Sequence, residues 1–506
     1  MMAAKSLSSG YPLESLLAGI IDSAFVQDME VTGIATDSRK VNPGNLFIAC
    51  TIGGDSNIPY INDAIKAGAV AVLAEGPALP DPYLCSVPLF RAKDIYKRIG
   101  VIADRLYQHP SADMTIIGVT GTNGKTSVSH MLAQSLTVLP NNICGLIGTL
   151  GYGPINNFVP GPNTTPEPLA LQALLACLRE QKIHQTVMEV SSHGLDQYRI
   201  AGVKFELAIF TNLSRDHLDY HQTMQNYALA KRRFFTEYGI KKHVINIDDE
   251  FGSKLFNELS GGAQVIGCTL DIKKYTDARN RNTLVYAKIV DVQPVRMTME
   301  LKSPWGEGDI STQFIGNFNA HNILSVFSAL CLLGYTFNES ISRVSGCGNV
   351  PGRMECFGNN STPRVIVDYA HTPDALEQVL STLKSVCTGK LYCVFGCGGD
   401  RDSGKRPLMA AIAEKYANHI TLTSDNPRHE EPEKIIQDIL AGITHQQNVE
   451  VEIERETAIQ NVIKVASVND IVLIAGKGHE NYQEIAGVRR PFSDQEIVKE
   501  VLETPA

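Results

Sequence analysis

No apolar run in this 506-residue chain is long enough to cross a bilayer. The longest, such as Ala67–Ala74, fall well short of the ~20 residues a spanning helix needs. Met1 to Gly10 carries one lysine and no apolar stretch, which predicts no secretory signal. A CxxC pair is also missing. Eleven cysteines are scattered along the chain, and the nearest approach is Cys393 and Cys397. An odd count without framework spacing predicts reduced thiols in a reducing compartment, and no structural zinc. Nor is there an excess of basic charge. The formal net charge is -9, which argues against nucleic acid or an anionic membrane as a partner held by bulk charge. Any phosphate must then be bound by local loops. Long repeats and low-complexity segments are absent as well. The expected location is the cytoplasm, without membrane insertion.

What is present is an ordinary globular composition, 43% apolar and 20% charged, in a chain long enough for three domains. The β-like runs Leu46–Ala49 and Ala69–Ala74 and a helical stretch near Tyr60–Ala67 predict a small N-terminal α/β domain. The turn signals Asn42-Pro43-Gly44 and Pro80-Asp81-Pro82 punctuate it, and it ends near His109-Pro110. The strand Met114–Val119, a Gly-rich turn and the helix Thr126–Leu136 follow, with further strands at Thr186–Val190 and Leu207–Phe210. This alternation predicts a central, doubly wound parallel sheet of P-loop type. Alternating patterns at Thr283–Val290 and Val295–Leu301, with a turn at Pro304-Trp305-Gly306, predict an antiparallel appendage. Residues 345–353 resemble a linker. The strands Arg364–Asp368, Leu391–Phe395, His419–Thr423 and Ile471–Ala475, with a helix at Ala375–Val386, predict a Rossmann-like βαβ domain at the C-terminal end. The expected division is 1–112, 113–350 and 351–506.

The most informative segment is Gly118-Val119-Thr120-Gly121-Thr122-Asn123-Gly124-Lys125-Thr126, followed by Ser127. In a strand–loop–helix of this kind, loop amides and the helix N-terminus cradle phosphate oxygens. Lys125 suits the terminal phosphates, and the Thr126 hydroxyl suits Mg²⁺. The strict P-loop pattern needs glycine where Val119 stands, so this is a variant. The bland alternative is a Gly-rich turn that happens to precede a helix. Strand, loop, Lys-Thr and helix in the right order make that the weaker reading. The variant resembles the ATP loop of the Mur ligases and of the related folylpolyglutamate synthetases. Both groups join an amine to a carboxylate at the expense of ATP.

Glu189 closes a predicted strand, where ligands of open α/β sheets gather. It is a candidate for a Mg²⁺ shared with ATP. His217 lies in the polar loop Thr211–Asp219, and a lone histidine after a strand is more often structural. Lys231 shares a helical stripe with Tyr227, Phe234, Phe235 and Tyr238. Most helical lysines are solvated, but a desolvated one loses its proton, and the neutral amine can add CO₂ to form an anionic carbamate. The resemblance implies that carbamate on Lys231, and metal roles for Glu189 and His217, with two Mg²⁺ expected. It further implies that Asn163, Thr164, Thr165, Ser191, Gln197 and Arg199 hold a muramoyl-peptide substrate. Asn319, within Gly316–Asn322, would lie near adenine, and Arg353 and Asp368 would contact ATP.

Asp425-Asn426-Pro427-Arg428 reads from its residues alone as a Pro-containing turn. The resemblance places it against the incoming amino acid, with the arginine accompanying meso-diaminopimelate. That compound differs from lysine by a second carboxylate, which a guanidinium grips bidentately. Lysine would leave a buried Arg428 unpaired, and polar mismatches discriminate by ~10⁴-fold where one methylene gives only ~10–200-fold. Arg401, Gly476 and Glu480 match other contacts to this amino acid, and Glu480 suits its distal ammonium. Thr36 and Ser38 resemble the UDP-binding entry, although the segment Gly53–Asn57 departs from the pattern.

The expected reaction is therefore ATP-dependent addition of meso-diaminopimelate to UDP-N-acetylmuramoyl-L-alanyl-D-glutamate by a monomer, through an acyl phosphate, with Lys125, Lys231 and His217 as catalytic groups. Three rivals stand beside it. They are a relative adding lysine or glutamate, a nucleotide-binding regulator without catalysis, and a P-loop GTPase or motor.

Overall fold

The computed structural model describes residues 10–22, 26, 28–50, 57–75, 86–138, 142–277, 281–293, 296–359 and 361–503. Pro80-Asp81-Pro82 and most of the departing segment Gly53–Asn57 lie outside the described residues. The chain divides into two compact units. One comprises 1–118, 137–206 and 233–240; the other comprises 119–136, 207–232 and 241–506.

In the first unit the strands Gly33–Ala35, Asn45–Ala49, Ala71–Glu75 and Leu89–Ala92 form a parallel sheet in that order. Side chains of a strand alternate between faces, so Leu46, Ile48 and Leu73 pack with Ile102 and Leu106 of the helix Ile99–Leu106. Phe47, Ala49, Val72 and Ala74 turn the other way, onto Ile61 and Ala64 of the helix Ile58–Lys66. Both faces are covered, as a parallel sheet requires. Further along this unit, Gln185–Glu189 runs parallel to Gly145–Gly148, which pairs antiparallel with Gly151–Pro154.

In the second unit the strands Leu207–Phe210, Lys242–Asn246, Gln264–Thr269 and Leu284–Gln293 are parallel neighbours in succession. Arg296–Ser303 and Gly306–Thr312 then extend the sheet antiparallel. The expected appendage is thus a continuation of the main sheet. The burial pattern explains the difference. Leu284 to Ala287 are all buried, as in an inner parallel strand, and exposure begins only at Lys288.

The C-terminal sheet has the order Glu355–Phe357, Arg364–Asp368, Ile471–Ala475, Leu391–Phe395, His419–Leu422, Val449–Val451. All neighbours are parallel except the first pair. Ile366, Leu391, Cys393 and Leu473 face the helices Pro373–Val386, Lys405–Tyr416 and Pro432–Leu440. Val365, Val394, Val472 and Ile474 face Arg455–Val465 and Asp494–Glu503 on the other side. Helices on both faces make this a doubly wound domain, as the alternation predicts. The buried pair Arg455–Asp494, 2.8 Å, fastens the final helix to it. All ten described cysteines are free, and no described helix is long and apolar enough to cross a membrane.

Candidate active site

The loop between the strand Thr115–Thr120 and the helix Lys125–Leu136 is held by its neighbours in the second unit. Thr122 N–H donates to Asn212 O at 2.8 Å, and Asn123 N–H donates to Asn212 Oδ1 at 2.9 Å. Thr211 Oγ1 donates to Asn123 O at 2.6 Å. Two amides expected at phosphate thus shape the loop itself, and the helix N-terminus at Lys125 is its anion-attracting element. Lys125 Nζ donates to Gly121 O at 3.0 Å and to Thr122 O at 2.8 Å. A Cβ on Gly121 would lie 1.9 Å from Thr211 Oγ1, and one on Gly124 would lie 2.6 Å from Asn322 Oδ1. Such close backbone approach is what a phosphate cradle needs from glycine.

Lys231 projects from the helix Met224–Thr236 into this loop. It is 1% exposed, its Nζ donates to Gly121 O at 2.6 Å, and the ammonium position is 4.6 Å from the centre of the Tyr227 ring. The stripe predicted for this helix is buried at Tyr227, Lys231, Phe234 and Phe235. Burial, with the Lys125 charge adding to it, holds the Lys231 amine well below the ordinary lysine range, against the opposing pull of Asp216. The shift is in the direction that favours the neutral amine.

Asp216 lies among basic side chains. Burial works to raise its carboxyl, but His217, His371 and Lys125 bring it below the usual range. His217 sits 41% exposed in a left-handed backbone conformation, φ 53°, with Nε2 3.4 Å from Asp216 Oδ2. His371 is pushed down to about 4 by burial, with Lys405 adding to it. Arg353 Nη2 donates to Thr126 Oγ1 at 3.0 Å and its guanidinium lies 4.3 Å from the Tyr369 ring centre. Asp368 accepts the amides of Met354 and Ala370 at 2.7 and 2.8 Å, and burial raises its carboxyl. Asn319 is buried, with Nδ2 donating to Ile315 O at 3.0 Å. Ser127, one turn into the helix, is buried too.

Within the first unit a second group converges. Glu189 is 1% exposed, and its carboxylate accepts Thr149 N–H at 2.9 Å and Thr149 Oγ1 at 3.1 Å. Thr164 Oγ1 lies 3.0 Å from Thr149 Oγ1. Thr165 Oγ1 accepts Ser191 N–H at 2.9 Å, and Arg199 joins Thr165 O at 2.9 Å to Gln197 Oε1 at 2.6 Å. Asn163 N–H donates to the Tyr152 hydroxyl at 3.2 Å. Thr36 is exposed and Ser38 half-buried, just beyond the strand Gly33–Ala35.

The C-terminal candidates also meet. Asn426 Nδ2 donates to Glu480 Oε2 at 2.8 Å, and the fully buried Lys477 bonds both residues at 3.1 Å. Burial, reinforced by Asp425, raises the Glu480 carboxyl. A Cβ on Gly476, φ 114°, would lie 2.4 Å from Asp425 Oδ2. Pro427 O approaches Gly399, where a Cβ would sit 2.0 Å from it. Arg428 adopts φ 52° and its Nη1 donates to Gly399 O at 2.7 Å. Arg428 therefore already has a protein partner, and an amino acid lacking the second carboxylate would not leave it bare. Arg401 is exposed, with Nη1 donating to Asp400 O at 3.1 Å, and its Cγ, like Arg428 Nη1, lies close to Gly398.

These loops match two family models, the Mur ligase middle domain over 119–330 and the Mur ligase glutamate ligase domain over 352–478. The chain is 45% identical to the UDP-N-acetylmuramoyl-L-alanyl-D-glutamate--2,6-diaminopimelate ligase of Coxiella burnetii, over 95% of this chain and 97% of that one. The chain belongs to the Mur ligase family. A solved structure titled as a UDP-N-acetylmuramoyl-L-alanyl-D-glutamate--2,6-diaminopimelate ligase superposes with TM-score 0.71 at 35% identity, covering 98% of this chain and 99% of that one. A Thermotoga maritima MurF ligase in complex with ADP shares the fold at TM-score 0.61 and 16% identity, over 93% and 96% of the two chains.

This Mur ligase also uses residues that its sequence does not single out. Arg406 is 1% exposed and forks onto Glu430 at 2.9 Å while reaching Gly398 O at 3.2 Å, so it ties together the two loops that carry Arg401 and Arg428. Asn212 and Thr149 hold the loop and Glu189, and only their positions after strands offer a signal. At Gly121 an added Cβ would come within 1.9 Å of Thr211 Oγ1 and 3.0 Å of Asn212 N, at φ 150°. Gly121→Ala is expected to cost about 3 kcal/mol or more of stability, because the loop has to move off Thr211. Thermal melting checks this, and a melting point within 1 °C or so of wild type would show that the loop yields freely.

Proposed function

We infer that this chain is an ATP-dependent acid–amino-acid ligase that adds meso-2,6-diaminopimelate to UDP-N-acetylmuramoyl-L-alanyl-D-glutamate in peptidoglycan precursor synthesis. The observation that carries this reading is the end-to-end likeness to ligases so named, 45% identity over 95% of the chain. Arg428 in the Asp425–Arg428 segment supports the choice of amino acid. In this reading the protein is a cytoplasmic monomer with domains 1–112, 113–350 and 351–506.

The side-chain carboxylate of D-glutamate attacks the γ-phosphorus of ATP, and ADP leaves. The product is an acyl phosphate, and the diaminopimelate amine then attacks its carbonyl carbon and expels phosphate. The helix N-terminus at Lys125 and the Lys125 ammonium counter the charge that builds on the transferring group. Thr126 and Arg353 flank that position, and Asn319 serves the adenine side. Asn163, Thr164, Thr165, Ser191, Gln197 and Arg199 hold the peptide end of the acceptor, with Thr36 and Ser38 at its UDP end. Asp425, Asn426, Pro427, Arg428, Gly476, Glu480 and Arg401 receive the amino acid.

Among the described residues no group of three or more His, Cys, Asp or Glu side chains is placed to hold a metal ion. Mg²⁺ takes one or two protein carboxylates and fills its shell with phosphate oxygens and water. Thr126, His217 and a carbamate on Lys231 would serve as ligands in the second unit and Glu189 in the first, and two such ions would supply Lewis-acid charge at the phosphates. The buried Lys231, whose environment disfavours the charged amine, fits the carbamate: adding CO₂ leaves one N–H on Nζ, enough to keep the bond to Gly121 O.

Phosphate release from Mg-ATP with the UDP-muramoyl-dipeptide tests the reading, with meso-diaminopimelate compared against L-lysine. Release with diaminopimelate and a tripeptide product by mass is expected; no release with it would sink the assignment. Arg428→Ala should lower kcat/KM for diaminopimelate by ~10²–10³-fold, the loss of a bidentate charged pair, while KM for ATP stays within about twofold. Equal loss for both substrates would remove Arg428 from amino-acid recognition.

A further inference from the structure

The helix Ser192–Asp196 ends in a reversal that glycine ordinarily makes. Arg199 N–H donates back to Gly194 O at 2.8 Å and Tyr198 N–H donates to Leu195 O at 3.2 Å, the paired bonds of a helix that closes through a left-handed residue. That residue is Tyr198, φ 54°. Bulky side chains are uncommon in this conformation, because Cβ crowds the following carbonyl. Contacts outside the turn offset that strain. The Arg233 guanidinium lies 4.1 Å from the Tyr198 ring centre, and its Nη1 donates to Leu195 O of the same turn at 3.4 Å. Lys97 Nζ is 5.6 Å from the ring centre, and the Tyr96 ring meets it edge-on at 5.7 Å and 75°. Arg233 is itself braced by Glu237 at 2.9 Å, and Lys97 by Asp94 at 3.2 Å. One ring thus joins the turn Ile95–Lys97, the reversal at 195–199 and the last turn of the helix Met224–Thr236. Its chain neighbours are Gln197 and Arg199. Arg199 forks onto Gln197 Oε1 at 2.9 and 2.6 Å, and lies 3.1 Å from Glu167.

We propose that Tyr198 is a positioning residue for the acceptor substrate: gripped by Arg233, Lys97 and Tyr96, its ring locks the left-handed turn that brings Gln197 and Arg199 together for the peptide end of the UDP-muramoyl-dipeptide. This rests on the proposed function above, in which Gln197 and Arg199 hold that peptide. The backbone angle at 198 sets the direction in which the chain leaves the helix, and so sets where the two flanking side chains meet. Glycine would make the same turn without strain, but it populates both signs of φ about equally and would leave the turn free to open. Tyrosine is costlier there, and its ring ties the turn to a single geometry. Both cations are within the range at which an aromatic face attracts them, and Arg233, 18% exposed, is desolvated enough to strengthen the pull. A Gln197–Arg199 pair ordered in advance spares the acceptor the entropy of ordering it on binding.

The test measures phosphate release by the full-length enzyme, varying the UDP-muramoyl-dipeptide, Mg-ATP and meso-diaminopimelate in turn. Tyr198→Gly keeps the turn accessible and removes the ring. It should raise the KM for the UDP-muramoyl-dipeptide about tenfold, while the KM values for ATP and diaminopimelate stay within about twofold. Tyr198→Phe keeps the ring and its cation contacts, and should return the acceptor KM to within about twofold of wild type. Equal rises for all three substrates would assign Tyr198 to holding the fold alone and overturn the proposal. An unmoved acceptor KM in Tyr198→Gly, or a loss in Tyr198→Phe as large as in Tyr198→Gly, would overturn it as well. If Tyr198→Gly fails to fold by thermal melting, Arg233→Met decides: the acceptor KM should rise about threefold or more with that for ATP unchanged, and an unmoved acceptor KM refutes the proposal. Absence of phosphate release by wild type would instead refute the proposed reaction, and this role with it.

Discussion

Lys125→Met is expected to lower phosphate release ~10³–10⁴-fold with little change in stability. The side chain contributes at two levels. In the resting loop its ammonium donates to Gly121 O and Thr122 O, 3.0 and 2.8 Å away, which turns two carbonyl dipoles inward. Those bonds are replaceable, because Thr211, Asn212 and Ser214 hold the loop independently. At the phosphates there is no substitute for the charge. One donor aimed at developing negative charge contributes ~10²–10³-fold, and a full cation on a transferring phosphoryl group contributes more. Methionine keeps most of the length of the side chain and removes the charge together with the two replaceable hydrogen bonds. A kcat that falls while the melting point stays within about 2 °C of wild type is the expected outcome. A parallel collapse of both would show that Lys125 serves the loop and not the chemistry. Lys125 also depresses the Lys231 amine, so the variant should bind CO₂ less readily at neutral pH.

The phosphate loop was legible because its chemistry is local. Glycines, lysine and threonine within nine residues, between a β-branched strand and a helix, leave few other readings. Lys231 was legible for a different reason: its stripe-mates Tyr227, Phe234 and Phe235 are buried, and a lysine on that stripe must be buried with them. The parallel sheets followed from alternation of strand and helix. What escaped depends on distance along the chain. Arg406 meets Glu430 across 24 residues, and Asn426 meets Glu484 across 58, with no pattern in either neighbourhood to announce the meeting. The left-handed backbone at Arg428 is equally silent, since arginine is not a residue type enriched there. The extension of the main sheet through Leu284–Gln293 was hidden because its first half looks like the inner strand of a hairpin; only its partner, Gln264–Thr269, decides between the two. Motifs thus locate the chemistry, while the long-range polar contacts that shape the loops around it leave no local trace in the sequence.

Lys231→Met is expected to separate stability from activity in the opposite sense. Burial lowers the amine below its unfolded value, so the folded protein disfavours the charged form. For a lysine with a depressed folded pKa, the unfolded state binds the extra proton at every pH between the two values. Stability therefore rises with pH across that window, and at neutral pH the unmodified lysine carries a penalty that methionine lacks. The variant should melt at or above the temperature of wild type stripped of CO₂. Phosphate release should fall by ~10³-fold or more if the proposed carbamate is present, because the anionic oxygen ligand it would supply is lost. The same logic gives a pH signature in wild type. Carbamate needs the neutral amine, so at low bicarbonate activity is lost as pH falls through the folded Lys231 pKa, and added bicarbonate restores it above that point. Carbon-13 NMR with labelled bicarbonate reads the modification directly, and a carbamate signal present in wild type and absent in Lys231→Met is the expected result. Full activity in the methionine variant, or wild-type activity indifferent to CO₂ removal, would leave Lys231 as a buried strut for Gly121 and return the second metal to other ligands.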